Sequence, residues 1–202
     1  MHTNQREAEE VLAAAVSGYV ESVFNAAIRN AITKVLPNAA QDWVAPSTPL
    51  PGQLWLAQGG TYAGIVRGDD GTLFHLIVGP ESMDFDEQPW GGRGKDEEGA
   101  TSIWDGLANT RALVESKIDH PAAQAIVQIN AGNSMGWYLP AQVELSLCRA
   151  TVRHLFQPAW YWSSTQCSSI YAWSQHFEHG YQFINLKDYT GRARAVRRLV
   201  IQ

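Results

Sequence analysis

The sequence predicts an α+β chain: a long N-terminal helix, a proline-rich spacer, then a body that mixes hairpins with short helices. Three observations predict it. Apolar doublets recur every four residues as far as residue 36. Four prolines fall within residues 37–52. All eight tryptophans lie between Trp43 and Trp173.

The doublets are Val11-Leu12, Ala15-Val16, Tyr19-Val20, Val23-Phe24, Ala27-Ile28, Ala31-Ile32 and Val35-Leu36. Period-two alternation is absent, so they predict a helix. Thr3 or Asn4 can cap its start, acidic Glu7, Glu9 and Glu10 suit the positive end of its dipole, and Pro37 stops it. Some 30 residues give a rod of roughly 45 Å. A spacing above 3.6 makes the apolar stripe drift around the rod. One reading folds the helix against its own body. The wider stripe favours the other, burial between copies of the chain, and the expected oligomer is a homotrimer. The stretch 37–52, PNAAQDWVAPSTPLPG, cannot hold a regular helix. The expected division is therefore 1–45 for oligomerisation and attachment, 46–52 as the proline-rich linker, and 53–202 as the body.

In the body, 61–66 and 72–78 predict two strands joined at Gly68-Asp69-Asp70-Gly71. Residues 80–102, rich in Gly, Pro and carboxylates, predict a long loop. Helical spacing predicts helices over 107–118 and 122–129. A third lies within 140–152, with Pro140 at its start and Glu144 in its first turn. Alternation predicts strands over 171–177, 181–186 and 193–200.

Composition excludes several functions. The 202 residues carry a net charge of −5, and residues 46–100 alone hold 3 basic against 9 acidic side chains. No basic excess is available for a nucleic-acid backbone. No apolar run approaches the roughly 20 residues of a membrane span. The polar start predicts no signal peptide, hence assembly in the cytoplasm. Cys148 and Cys167 make neither a disulfide framework nor a four-ligand zinc site.

The catalytic signals are weak. Gly132-Asn133-Ser134-Met135-Gly136 has nucleophile-elbow spacing, but Trp137-Tyr138-Leu139-Pro140 follows where a helix is needed. Gly91-Gly92-Arg93-Gly94-Lys95 lacks phosphate-loop spacing. His176 and His179 lack a third metal ligand at sensible spacing, and Asp84, Asp86, Glu87, Asp96, Glu97 and Glu98 lack the order of a calcium loop. No metal or cofactor is expected, and the chain is not expected to be an enzyme.

One ordered set of motifs is distinctive. Asp105-Gly106-Leu107-Ala108-Asn109-Thr110 is followed by Gly136-Trp137-Tyr138-Leu139-Pro140 with Glu144-Leu145. Then come Tyr161-Trp162-Ser163-Ser164-Thr165, Tyr171-Ala172-Trp173 with Phe177 and Gly180, and Arg194-Ala195-Val196-Arg197. Over about 53–200 this set resembles the Lcl C-terminal-type domain family, whose signature reads roughly W-R-L-P-T, W-S-S, R-A-V-R. Gly60-Thr61-Tyr62-Ala63-Gly64 also looks like the opening strands of its phage members. Here Tyr138 stands for the usual Arg and Ala141 for Thr or Ser.

The resemblance implies a C-type-lectin-like fold and a binding scaffold. Its wider relatives include the phage major tropism determinant. They also include formylglycine-generating enzymes, whose paired catalytic cysteines have no counterpart here. The sugar-binding tripeptides Glu-Pro-Asn and Trp-Asn-Asp are absent, so calcium-dependent sugar binding is not implied. The implied function is a phage tail-tip or tail-fibre protein that binds a host-surface receptor, protein or glycan. It would sit in the virion beside other tail or baseplate proteins. The alternative is a baseplate or fibre-network subunit without receptor contact.

The C-terminal stretch mixes aromatic residues with Ser, Gln, Asn and His, a composition suited to recognition. Alternation over 171–177 puts Trp173, Gln175 and Phe177 on a core face and Ser174 and His176 outward. The expected recognition surface is Gln166, Ser168, Ser169, Ser174, His176, His179, Tyr181, Gln182, Phe183 and Asn185.

Overall fold

The computed structural model describes residues 48–130 and 136–201. The chain divides into two units, Met1–Ser47 and Thr48–Gln202, and the described residues belong to the second. The helix expected over 1–45 and Ser134 of the 132–136 motif lie outside the described residues.

The fold class expected from sequence, α+β with a C-type-lectin-like domain behind a long helix, is corrected. The described residues are mostly β, in two sheets, with three short helices. One sheet has the order β1-β2-β3-β9: Leu54–Trp55, Gly60–Arg67, Leu73–Val78 and Val196–Val200. The other has the order β4-β8-β5-β6-β7: Asp84–Pro89, Thr190–Arg194, Trp160–Gln166, Tyr171–His176 and Gln182–Leu186. Neighbours run antiparallel except β5 and β8, which pair in parallel at Tyr161 and Arg192. The helices are α1 (Gly106–Glu115), α2 (Pro121–Gln128) and α3 (Gln142–Thr151).

The β2–β3 hairpin and the three helices stand where the spacing predicts them. Asp70 stabilises the hairpin turn by accepting from the Thr72 backbone N–H at 2.9 Å and its hydroxyl at 2.8 Å. The loop expected over 80–102 is corrected, because it contains β4. That strand carries no apolar alternation. A bulge between Phe85 and Gln88, with Glu87 in the left-handed region at φ 52°, shifts its register. Beside its ladder to β8 and the packing of Phe85, an ion network attaches it. Asp84 accepts from Tyr161 Oη at 2.7 Å, Arg192 Nε at 3.1 Å and Arg194 Nη1 at 3.1 Å. The run 193–200, expected as one strand, is two. Ala195 sits between β8 and β9, so the chain leaves one sheet for the other there. Its N–H donates to Met83 O at 3.1 Å, and its carbonyl accepts from Gly79 N at 2.9 Å.

Two apolar clusters fill the interior. One gathers Leu76, Val78, Tyr138, Leu145, Phe156, Tyr161 and Phe177, and the other Ile77, Trp90, Leu113, Ile126, Trp137, Leu139 and Trp162. Successive residues of β3 and of β5 thus enter different clusters. Both strands are covered on both faces, which explains why neither shows an inside-outside alternation. Cys148 is buried, and burial pushes its thiol pKa up; Cys167 is exposed, and both are free.

The family-like motifs converge inside this frame. Gly106 lies so close to Glu144 and the Ala141 N–H that a Cβ would strike both. Glu144 accepts from Tyr138 Oη at 2.6 Å and from Ala141 N at 2.8 Å. Ala141 has no side chain to cap α3, and Thr165 of β5 accepts from Gln142 N at 3.0 Å in its place. Asp105 caps α1 by accepting from Ala108 N at 2.8 Å, and it holds Arg198 at 2.9 Å.

Candidate binding surface

Among the described residues, β7 is an edge strand, paired with β6 alone. The turn between them is closed by His176 N donating to Tyr181 O at 2.8 Å and Gly180 N donating to His176 O at 2.9 Å. Gly180 has φ +82°, a left-handed conformation that L side chains rarely adopt. Phe177 anchors the turn from beneath, its ring stacked on Phe156 with centroids 3.9 Å apart. Arg153 Nε donates to Phe177 O at 3.0 Å, and Arg149 Nη2 donates to Glu178 O at 3.3 Å.

On this support the side chains of one sheet face form an aromatic row. The ring of Trp160 meets His176 edge-on at 4.9 Å, and His176 stacks on His179 at 4.9 Å with an interplanar angle of 6°. Tyr181 follows at 5.8 Å from His179, and Phe183 lies 6.4 Å from Trp160. Tyr181 is 65% exposed and Phe183 58%. Alternation along β7 explains the pairing: residues 181, 183 and 185 share a face, and 182 takes the other.

The structure divides the ten residues expected to form one surface. His176, His179, Tyr181 and Phe183 come together at the hairpin tip. Asn185 lies further along the same face, half-buried, with its Nδ2 donating to Ser174 Oγ at 2.8 Å. Ser174 is buried rather than exposed, and its hydroxyl donates to Phe183 O at 3.1 Å. Ser174 does share the face of His176 and Phe183, but the exposure expected for it is corrected: β6 is an interior strand, and Asn185 and the β7 backbone cover the hydroxyl. Gln175 is also buried, and its Nε2 finds the partner its position demands in Tyr181 O at 3.1 Å.

Gln182 is exposed but faces α3, donating to Ser146 Oγ at 2.5 Å and accepting from Gln142 Nε2 at 3.1 Å. Ser168 and Ser169 belong to the opposite end of β6, in the β5–β6 turn, roughly 17 Å of strand away. Ser168 Oγ accepts from the N–H groups of Ile170 and Tyr171, both at 3.2 Å.

Gln166 is not a surface residue either. It is buried, and its Oε1 accepts from Lys187 Nζ at 2.6 Å and Glu97 N at 2.8 Å. Lys187 is itself fully buried. It donates to Lys95 O at 2.8 Å and lies 4.6 Å from the Trp90 ring. Burial pushes its pKa down, against the opposing pull of Glu97 and Asp96. Glu97 continues the network by accepting from Ser116 Oγ at 2.9 Å and contacting His120 Nε2 at 3.0 Å. Gln166 therefore ties the 90–98 segment to the sheet.

Two residues of the tip escape the sequence reading. Trp160 is half-buried at the start of β5; its only signal is its i, i+2 relation to Trp162. Glu178 lies between the two histidines in sequence, and the turn brings all three together. Its carboxylate is 3.4 Å from His179 Nε2.

No family model and no curated protein matches the chain. Among solved structures, a fimbrial protein from Bacteroides ovatus is similar with a TM-score of 0.43 and 13% identity, over 77% of this chain. The chain spans only 40% of that protein's length.

Proposed function

We propose that the chain is a phage tail-tip or tail-fibre protein that binds a host-surface receptor through the tip of the β6–β7 hairpin. The observation that carries the reading is the exposed row of Tyr181 and Phe183 beside His179, His176 and Trp160. Large rings held on a rigid strand supply contact area at little entropic cost on binding. The neighbouring imidazoles and the Glu178 carboxylate supply hydrogen bonds around them. Among the described residues, Tyr181 and Phe183 are the two most exposed of the Phe, Tyr and Trp side chains, and they lie together in one patch. The phage assignment rests on the resemblance of the ordered motifs.

A trimer built through residues 1–45 would present three such tips and multiply a modest affinity through avidity. The test is binding of the labelled full-length chain to whole host cells, measured against concentration. Saturable binding that unlabelled chain competes away supports the reading. Binding that never saturates, with intact assembly of the chain into its parent particle, overturns it in favour of a structural subunit.

A further inference from the structure

We propose that His176, Glu178 and His179 form a site for a divalent transition-metal ion of the zinc class, with its remaining coordination position open to solvent beside Tyr181. The inference stands apart from the receptor reading. The donor atoms of the three side chains all lie within 4.8 Å of one another. A tetrahedral zinc ion with bonds of about 2.0–2.2 Å needs donors about 3.4 Å apart. Glu178 Oε2 and His179 Nε2 already stand at 3.4 Å. The two imidazoles stack with an interplanar angle of 6°, so both rings must turn about their side-chain bonds before their nitrogen lone pairs meet at one point.

The turn makes this convergence a property of the backbone. The two bonds that close it, at 2.8 and 2.9 Å, place residues i, i+2 and i+3 on a short arc. Phe177 points the other way, into the core, and locks the arc to the body. Arg149 and Arg153 grip the carbonyls of Glu178 and Phe177, so the turn's backbone acceptors are partly satisfied from the protein side. Trp160, edge-on to His176, limits the travel of that ring. His176 Nδ1 accepts from His179 N at 3.3 Å, a long bond that an ion at Nδ1 would replace. The site is exposed: the side chains of His179 and Glu178 are about half accessible. An ion therefore enters without any opening of the fold.

Chemistry selects the metal. Two imidazoles and one carboxylate form a borderline donor set, suited to zinc, nickel or copper and poorly suited to calcium or magnesium, which prefer all-oxygen shells. Arg149 meets the same turn at the Glu178 carbonyl, so its charge opposes that of an ion and the single Glu178 carboxylate offsets only part of the sum. Three protein donors leave one position for water or for an oxygen or nitrogen donor of another molecule.

The test is calorimetric titration of Zn2+ and, separately, Ca2+ into the full-length chain and into His179→Ala, Glu178→Gln and the double variant His176→Ala/His179→Ala. The expected result is a saturable one-to-one isotherm with Zn2+ and none with Ca2+. Glu178→Gln should weaken it by about 10-fold or more, and the double variant should lose it. Circular dichroism melting of the same samples reads folding independently. No saturable Zn2+ isotherm in the wild-type chain overturns the proposal, as does an isotherm that the folded double variant retains. Cell binding measured in chelator reads the receptor function separately, so the two ideas fail in different assays.

Discussion

Arg194 Nη1 donates to Asp84 Oδ2 at 3.1 Å, and both side chains are only 2% exposed. The pair joins β8 to β4 inside the five-stranded sheet. The rest of the guanidinium donates to Gly79 O at 2.8 and 3.2 Å, and so reaches the segment after β3. Asp84 also takes Tyr161 Oη and Arg192 Nε, so one carboxylate offsets two buried or half-buried cations. Removing it leaves the buried Arg194 guanidinium without a carboxylate partner, whereas Arg192 keeps Asp86 at 2.6 Å. Asp84→Ala should therefore cost about 3–5 kcal/mol, and Asp84→Asn less, because the amide keeps one acceptor oxygen. Urea unfolding midpoints for the two variants check this. Equal midpoints for Asp84→Ala and wild type would show that β4 is held by other contacts.

Glu144 makes stability depend on pH. Burial raises its pKa from 4.5 to about 7, against the opposing hydrogen bonds from Tyr138 and Ala141. The folded state thus holds the proton more tightly than the unfolded chain. The stabilisation is complete below the unfolded pKa of 4.5 and is lost as pH rises through about 7. A shift of that size corresponds to at most about 3 kcal/mol. Glu144→Gln, which is neutral throughout, should flatten the melting temperature across that window. Parallel pH-dependence in the variant and the wild-type chain would rule out Glu144 as the source.

The buried lysine gives a third expectation. Lys187→Ala removes the donor for Gln166 Oε1 and Lys95 O and opens a void beside Trp90. The cost should be about 2–4 kcal/mol. Gln166→Ala should also lower the melting temperature, since it strips Lys187 of one of its two acceptors. Neither change should alter receptor binding per folded molecule. A Gln166→Ala chain that melts normally but fails to bind cells would return Gln166 to the recognition surface.

The legible part of the fold is the part that local pattern controls. The β2–β3 hairpin shows in Gly68-Asp69-Asp70-Gly71 and its flanking apolar runs. The helices show in Pro140 and the spacing of their apolar residues. β4 is illegible because its bulge breaks alternation and the Asp84 ion network that helps to hold it leaves no local pattern. The break at Ala195 is illegible because β8 and β9 are each short and the sequence between them carries no glycine or proline. Ser174 and Gln166 read as surface residues because they are polar, yet Ser174 ties β6 to β7 and Gln166 ties the 90–98 segment to the sheet. At the tip, Tyr181 and Phe183 are legible as aromatic residues in a polar stretch, but their edge position and the opposite facing of Gln182 come only from the fold. Glu178 is not legible, because only the closed turn brings its carboxylate to the histidines. Of the motifs that carry the resemblance, those around Asp105, Tyr138, Glu144 and Thr165 hold α1, α3 and the sheets together, while Phe177 and Gly180 build the tip turn itself.

The last prediction concerns that tip. Tyr181 and Phe183 contribute little to the fold: both are mostly exposed, and neither belongs to the two apolar clusters. The backbone bonds of the β6–β7 turn run through the Tyr181 carbonyl, which an alanine retains. Replacing both rings by alanine should leave the melting temperature within about a degree or two, since surface substitutions away from buried features stay within roughly 0.5 kcal/mol. If the two rings anchor a receptor, each should cost about 2 kcal/mol or more in binding, a loss of roughly 30-fold per ring. Gln182→Ala serves as the control. It lies on the same strand but faces α3, so it should lower stability slightly and leave cell binding intact. Unchanged binding in the Tyr181→Ala/Phe183→Ala chain would move the receptor surface away from the hairpin tip. Lost binding with a collapsed melt would show that the rings are needed for folding.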